Sequence, residues 1–569
     1  MDNIPGFIYW LVITKASGAM NYSSKHIVGI ILLSILTLQC DLFPKDHLEN
    51  PNQISDTQAD PDLLLNNIQI DFKDAYRSAA HIGALNTRMK PMFGETFDHA
   101  FIPRNFNGIY ETSYTKVLID ANHLLDIAEQ RGMYFHAGMA KVLKAYTLIM
   151  MVDLFGDLPY SEAIMGGKIL NPSLDPGKEI YEEAIELLKQ AKVDLANSKR
   201  TAMPQNALYF SGLSKDEKED SWIRTANTIL LKAYLNMGHL QEINELIAEN
   251  RFINSPEFDF IFRYSTQSTN PDSRHPDFVN NYREFASELL AVNYMNMLVN
   301  NKSEHFIRDP RTRYYFYRKR VMDIFPHDNP CWEIVGQPPA HFDVGDPWCF
   351  IENGEGYYGR DFLNPDHPPT HSDIYTTYGV YSAGGLFDAA QGLIPDTDMG
   401  YQGAGFEPIL MSSFTHFMLA EAALKLGTEG DSWNYLETAI RQSMETVRDF
   451  GADQAEELFG EITDEQIEDY VSVVYNRWND PEYDKIRAIS MEYYLALWPN
   501  GYEAYNMMRR TGHPNRLDNL QPAATANPGS WYYSLYYPEN MVNRNKNVDQ
   551  KTRDERVFWN QDATHNFDF

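Results

Sequence analysis

Three cysteines, a His–Asp cluster and a short acidic run are the side chains of this 569-residue chain most suited to chemistry. Cys40 stands directly after the apolar run of residues 27–38, IVGIILLSILTL, and before the polar, prolyl stretch DLFPKDHLENPNQISD. A basic start, a short apolar run and a cut point describe a secretory signal. About twelve apolar residues are too few to span a bilayer of roughly 30 Å as a helix. A cysteine at the cut point is expected to carry lipid and to become the new N-terminus. The leader is then residues 1–39, and a start at Met20 would give it an ordinary length. Cys331 and Cys349 bracket CWEIVGQPPAHFDVGDPWC. In an exported chain these two thiols could form a disulfide, contributing about 3 kcal/mol for a loop of this size; two buried free thiols are the alternative.

Asp396-Thr397-Asp398-Met399-Gly400 has the short acidic spacing of a calcium loop but lacks the later bidentate Glu. A solvated turn is the plainer reading, so no cofactor or metal is expected, and Asp396 and Asp398 are the candidates should a structural calcium be present. Asp366, His367, His371 and Asp373 are interrupted by Pro368-Pro369 and read as a loop. No Gly-x-Ser-x-Gly, His-Glu-x-x-His or phosphate-cradling Gly-Lys loop occurs. Carboxylates abound, yet nothing marks out a glycosidase pair. No catalytic residue is expected. Glu421 falls on an apolar helical stripe with Phe414, Phe417 and Met418, so it needs a buried partner, Arg509 or Arg510.

The formal charge is −31, with 79 acidic against 48 basic residues. Such a chain repels nucleic acid and anionic membrane surfaces. Acidic glycans are disfavoured too, unless Arg311, Arg313, Arg318, Lys319 and Arg320 face the site. The 35 Tyr, 31 Phe and 9 Trp exceed what a core alone needs, and the surplus suits ligands with flat apolar faces. Aromatics stand beside polar forks in two patches. One holds Phe93, Phe97, His99, Phe101, Arg104 and Asn105. The other holds Trp332, Trp348, Tyr357, Tyr358 and Arg360.

The elements that must position these patches read mainly as helix. Residues 41–60 are a tether. Apolar spacing of three and four predicts helices over 107–130 and 136–155, the second stopped by Gly156. Pro176 opens the next, and Asp220 or Ser221 caps another that ends at Gly238. Residues 251–405 lack sustained periodicity and form an irregular packed region carrying binding surface. Helix returns at Pro408, over 409–426, 431–449, 463–478 and 482–508. Pairs of amphipathic helices predict a tetratricopeptide-like hairpin scaffold, 61–250 and 406–515, within one domain over 61–569 whose C-terminal segment is 516–569.

Six stretches, in order, resemble one family. They are AKVLKAYTLIMMVDLFGDLPYSEA at 140–163, DSWIRTANTILLKAYLNMG at 220–238, Asp309-Pro310-Arg311, MLAEAALKLG at 418–427, WPNGYEAYNMMRRTGHP at 498–514 and YYPENMVN at 536–543. Together, after a lipoprotein-type Cys40, they resemble the SusD/RagB-type outer-membrane lipoproteins of Bacteroidetes. GYYGRDF and GVYSAGGLFD in the middle look closer to the SusD-like branch than to the starch-binding prototype.

The resemblance implies a mostly α fold with a long irregular region packed on it, and binding without catalysis. It implies an outer-membrane lipoprotein on the cell exterior, attached by lipid alone. It implies a SusC-like TonB-dependent transporter as partner and an oligosaccharide as ligand, or a peptide in the RagB manner. A scaffold that only gates the transporter, and a hydrolase, are the alternatives. The family's ligand loops vary, so no individual binding residue is carried over.

Overall fold

The computed structural model describes residues 60–569 except 165–168, 200–201, 206, 284–287, 301, 303–304, 306, 320–337, 349–356, 366–374 and 459. Cys40, the leader, the tether up to residue 59, Arg320, Cys331, Trp332, Cys349 and the cluster Asp366, His367, His371 and Asp373 lie outside the described residues.

The scaffold is helical. Helix α1, Pro61–Asn86, opens with Pro61 in its first turn, and the Asp60 carboxylate accepts the Asp62 N–H. Helical backbone then runs through Asn107–Glu111, a π-helical stretch Thr112–Leu118 and α2, Ile119–Arg131. Helix α3, Tyr134–Phe155, is buried on nearly every side, as its all-round apolar sequence requires. It packs on α4, Gly177–Leu195. Helix α5, Lys215–Met237, and α6, Leu240–Glu249, are joined at Gly238, whose positive φ makes the turn. After the irregular region come α7, Val292–Asn300, and then α8, Ser412–Leu426, packed on α9, Ser432–Phe450. Helices α10, Asp464–Trp478, α11, Lys485–Ala496, and α12, Gly501–Thr511, follow, and shorter helical turns lie between these elements.

Strand content among the described residues is small. β1, Phe260–Arg263, pairs antiparallel with β4, Phe406–Leu410, and β2, Phe316–Tyr317, pairs antiparallel with β3, Thr377–Tyr378. The mainly α, hairpin-paired fold expected from the sequence is the one observed.

Three boundaries differ from the sequence reading. The cap of α5 is Ser214, reciprocally bonded with Glu217, whereas Ser221 is inside the helix and donates to the Glu217 carbonyl. Apolar periodicity starts late because the first turn of α5 is charged. Pro408 lies in β4, opposite Ile261, and the helix starts at Ser412. The helix expected over 482–508 breaks at Pro499, which cannot donate a backbone hydrogen bond, and Asn500 caps the second half through the Glu503 N–H.

The six shared stretches build the core. Asp153 accepts from Tyr502 Oη at 2.6 Å, Asn506 Nδ2 at 2.8 Å and Trp559 Nε1 at 2.9 Å. Glu503 pairs with the buried Lys232 and accepts from Tyr146. Arg510 grips Glu421 with two bonds of 2.9 Å, so Arg510 is the partner that Glu421 requires. Arg509 instead lies 3.8 Å from the Tyr505 ring centroid. Arg311 of the Asp-Pro-Arg tripeptide turns back on Asp309. These side chains hold the helices to one another. Among the described residues no helix is long and apolar enough to cross a membrane.

Candidate functional site

The loop that follows α1 and the loop of residues 357–364 meet on the surface. Their meeting is organised by Arg88, a buried residue with a positive φ of 65°. Its guanidinium donates to the carbonyls of Gln521, Phe567 and Phe569 and lies 4.6 Å from the Phe362 ring centroid. Burial pulls its pKa down to about 9, which leaves it protonated at neutral pH. Leu363 N–H donates to the Met92 carbonyl at 3.0 Å, and Ala524 N–H to the Phe362 carbonyl at 2.8 Å. Gly359 lets the second loop pass the chain at Leu290: a Cβ there would sit 2.2 Å from the Leu290 carbonyl oxygen. That close approach is the physical content of the GYYGRDF stretch.

On this frame Phe93 stays 53% exposed, and the Arg360 guanidinium lies 4.4 Å from its ring centroid. Arg360 Nε and Nη2 also donate to the Asn364 carbonyl at 3.1 and 2.6 Å, so the fork is held in place. A third loop, residues 338–348, hangs from the same C-terminal run. His341 Nε2 donates to the Ala523 carbonyl at 2.9 Å, and Arg516 Nε to Asp346 Oδ1 at 3.0 Å. Burial pushes the Asp346 carboxyl up, but Arg516 outweighs it and holds the group below the usual carboxylate range. On that loop Trp348, half-buried, meets Phe342 edge to face at 5.3 Å. Phe93 thus presents a flat apolar ring beside a fixed guanidinium, and Phe342 and Trp348 form a second pair of rings on the third loop. Phe93 and Arg360 can stack against and hydrogen-bond a polyol.

The structure sorts the expected residues. It joins Phe93 to Arg360, one from each patch, and puts Trp348 on a loop anchored beside them. Phe97 and Phe101 are corrected: both are core residues, packed against Tyr532 with centroids 5.9 and 5.8 Å apart. Phe97 opens a one-turn helix and Phe101 caps its end in extended backbone, and both rings turn inward, which sequence alone cannot tell from a surface platform. Arg104 is exposed but engaged bidentately by Glu539, at 2.8 and 3.3 Å. Asn105 accepts the Ile102 N–H and lies on the wall of a separate pocket of about 500 Å³ with Arg77 and Glu288. Tyr357 is buried and donates to Asp388 at 3.1 Å, and Tyr358 N–H is bound by Thr376 Oγ1.

Sequence reasoning missed Arg88, Phe342 and the run 521–525. Only the tertiary anchoring identifies them, although Phe342 stands within the already singled-out Cys331 to Cys349 stretch. Asp396 accepts from the backbone N–H of Thr397, as in a turn. Among the described residues no three His, Cys, Asp or Glu side chains gather around a common centre for a metal.

Comparison with known proteins bears on the fold. The model of a family described as starch-binding associating with outer membrane matches residues 51–337, and that of the Susd and RagB outer membrane lipoprotein family matches 406–557. No curated protein matches the sequence. Among solved structures, a SusD homolog from Bacteroides fragilis has TM-score 0.61 at 17% identity, covering 89% of this chain and 100% of its own. A protein titled as chitin-binding has TM-score 0.60 at 15% identity, covering 88% of this chain and 100% of its own. A chitin-binding SusD homolog from Flavobacterium johnsoniae has TM-score 0.56 at 15% identity, covering 88% and 98%. At such identities the likeness is one of fold.

Proposed function

The chain belongs to the SusD/RagB family of outer-membrane lipoproteins, and from that premise we propose that it captures an oligosaccharide at the cell surface and delivers it to a partner TonB-dependent outer-membrane transporter. Members of the family are binding proteins rather than enzymes. The observation that carries the glycan reading is the exposed Phe93 ring fixed beside the Arg360 guanidinium. A pyranose offers an apolar C–H face to such a ring and hydroxyls to such a fork. Two proteins of similar fold are titled as chitin-binding, which adds support for a saccharide. Anchoring is through lipid on Cys40, with the protein on the outer face of the membrane, and a SusC-like transporter is the partner.

The test is a binding screen of the mature chain against chitin, plant and host oligosaccharides and a peptide mixture. Saturable saccharide binding without turnover is the expected result. Binding of peptides alone would move the ligand to the RagB manner. Binding of neither, with co-purification of a transporter from outer membranes, would replace capture by gating.

A further inference from the structure

A pocket of about 500 Å³ opens between α1, the helical stretch Asn107–Glu111 and the short helix Pro276–Asn281. Its volume is within the roughly 300–1,000 Å³ of small-ligand sites. Helix α1 gives it one face through Asp74, Arg77, Ser78, His81 and Ile82, whose spacing of three and four sets them on one side. The ionic groups of the wall answer protein partners. Arg77 donates to Asp277 at 2.6 Å and to Glu407 at 2.9 Å. Glu288 accepts from Tyr378 Oη at 2.6 Å and from Lys90 at 3.4 Å, and Asp74 pairs with Lys73. With its charges so engaged, the wall suits an uncharged ligand.

Two neutral polar groups face the space. His81 is exposed, and among the described residues neither of its ring nitrogens has a hydrogen-bond partner. Desolvation by the surrounding protein, and then the Lys90 ammonium, pull its pKa down to about 4. At neutral pH the ring therefore offers one N–H donor and one bare nitrogen acceptor. Asn105, also exposed, spends its side-chain oxygen on the Ile102 N–H at 2.8 Å, which leaves its Nδ2 as a donor. Ile82 and Ile109, both buried, and Pro276 supply the apolar part of the wall. Gly108 has no side chain, and a Cβ there would meet no atom within 4 Å, so the space beside it stays open. Neutral donors and an acceptor beside a small apolar surface complement a secondary amide that carries a methyl group.

Resting on the capture reading above, we infer that this pocket takes the acetamido group of an N-acetylated sugar residue in the captured oligosaccharide. The acetamido carbonyl accepts from Asn105 Nδ2, its N–H donates to the bare His81 nitrogen, and its methyl lies on Ile82 and Ile109. The ligand class is thereby narrowed to glycans that contain N-acetylhexosamine.

The test is titration calorimetry on the full chain purified in detergent. The probes are chitotetraose against cellotetraose, and N-acetyllactosamine against lactose. Within each pair the members differ only in carrying an acetamido group or a hydroxyl at C2. In at least one pair the acetamido member is expected to bind about tenfold tighter or more, as a site built around an amide rejects the analogue without it. His81→Ala removes the ring, and Gly108→Leu fills the space; each is expected to lose most of the preference. Both positions are exposed, so both variants should keep the parent's melting temperature. Equal affinity within both pairs, or a preference that survives in either variant, overturns the assignment. Binding of the hydroxyl members alone overturns it and leaves capture standing. Binding of peptides alone, or of no saccharide in the wider screen, overturns both.

Discussion

The Arg360 guanidinium lies over the Phe93 ring, 4.4 Å from its centroid, although the two residues come from loops far apart in the chain. Phe93 is half-exposed, whereas Phe97, four residues on, is fully buried. Phe93→Ala is therefore expected to leave the melting temperature nearly unchanged, as surface changes do. It should weaken saccharide binding about three- to tenfold, the worth of one aromatic contact. Phe97→Ala should do the reverse: lose about 3–5 kcal/mol of stability and leave affinity of the surviving folded fraction intact. Calorimetric titration and thermal denaturation on both variants check this. Full affinity in Phe93→Ala would remove that ring from the site.

Helices α1 and α12 touch backbone to backbone. A Cβ on Gly501 would lie 1.9 Å from the Ala84 nitrogen, and one on Gly83 would lie 2.3 Å from the Gly501 carbonyl oxygen. Gly501→Ala must push the helices apart and is expected to cost at least about 1–3 kcal/mol. Urea denaturation measures it; an unchanged midpoint would mean that the two helices separate freely.

Glu421 and Arg510 form a buried bidentate pair. Burial pulls the guanidinium pKa down, but Glu421 beside it more than reverses this. Glu421→Gln leaves Arg510 charged and without its counter-charge, at an expected cost of about 3–5 kcal/mol. The same denaturation experiment tests it. Stability equal to the parent would refute a structural role for the pair.

Asp259 accepts the Ser412 N–H at the start of α8, at 2.7 Å. Burial pushes its carboxyl up to about 7, and the Ser412 bonds offset only part of this. The unfolded group titrates near 3.9. Between about pH 4 and pH 7 the folded state thus holds a proton that the unfolded state has lost. Its contribution to stability is full below pH 4 and is lost as pH rises through 7. Asp259→Asn cannot ionise, so its stability relative to the parent should be greater at pH 8 than at pH 4. A relative stability that does not change with pH would refute the burial effect.

Much of the scaffold is legible in the sequence because helices are local. Spacing of three and four marks α3, α4 and α9; Gly156, Gly238 and Gly427 mark ends, since a positive φ favours glycine. The buried partner of Glu421 is legible as a need, because an apolar stripe cannot hold a lone carboxylate. The family is legible because its motifs encode this buried polar core, in which Lys232 pairs with Asp153 and Glu503, and Arg510 with Glu421.

The site is different. Whether an aromatic ring packs inward, as Phe97 does, or faces solvent, as Phe93 does, depends on which distant segment covers it. Tyr532 covers the first, and the Arg360 guanidinium lies over the second. The sequence by itself determined the helices, the buried ion pairs they require and the resemblance to a lipoprotein family. The tertiary structure alone decided which aromatics and arginines share a surface, because loops without periodicity are placed by non-local anchors such as Arg88 and not by their own residues.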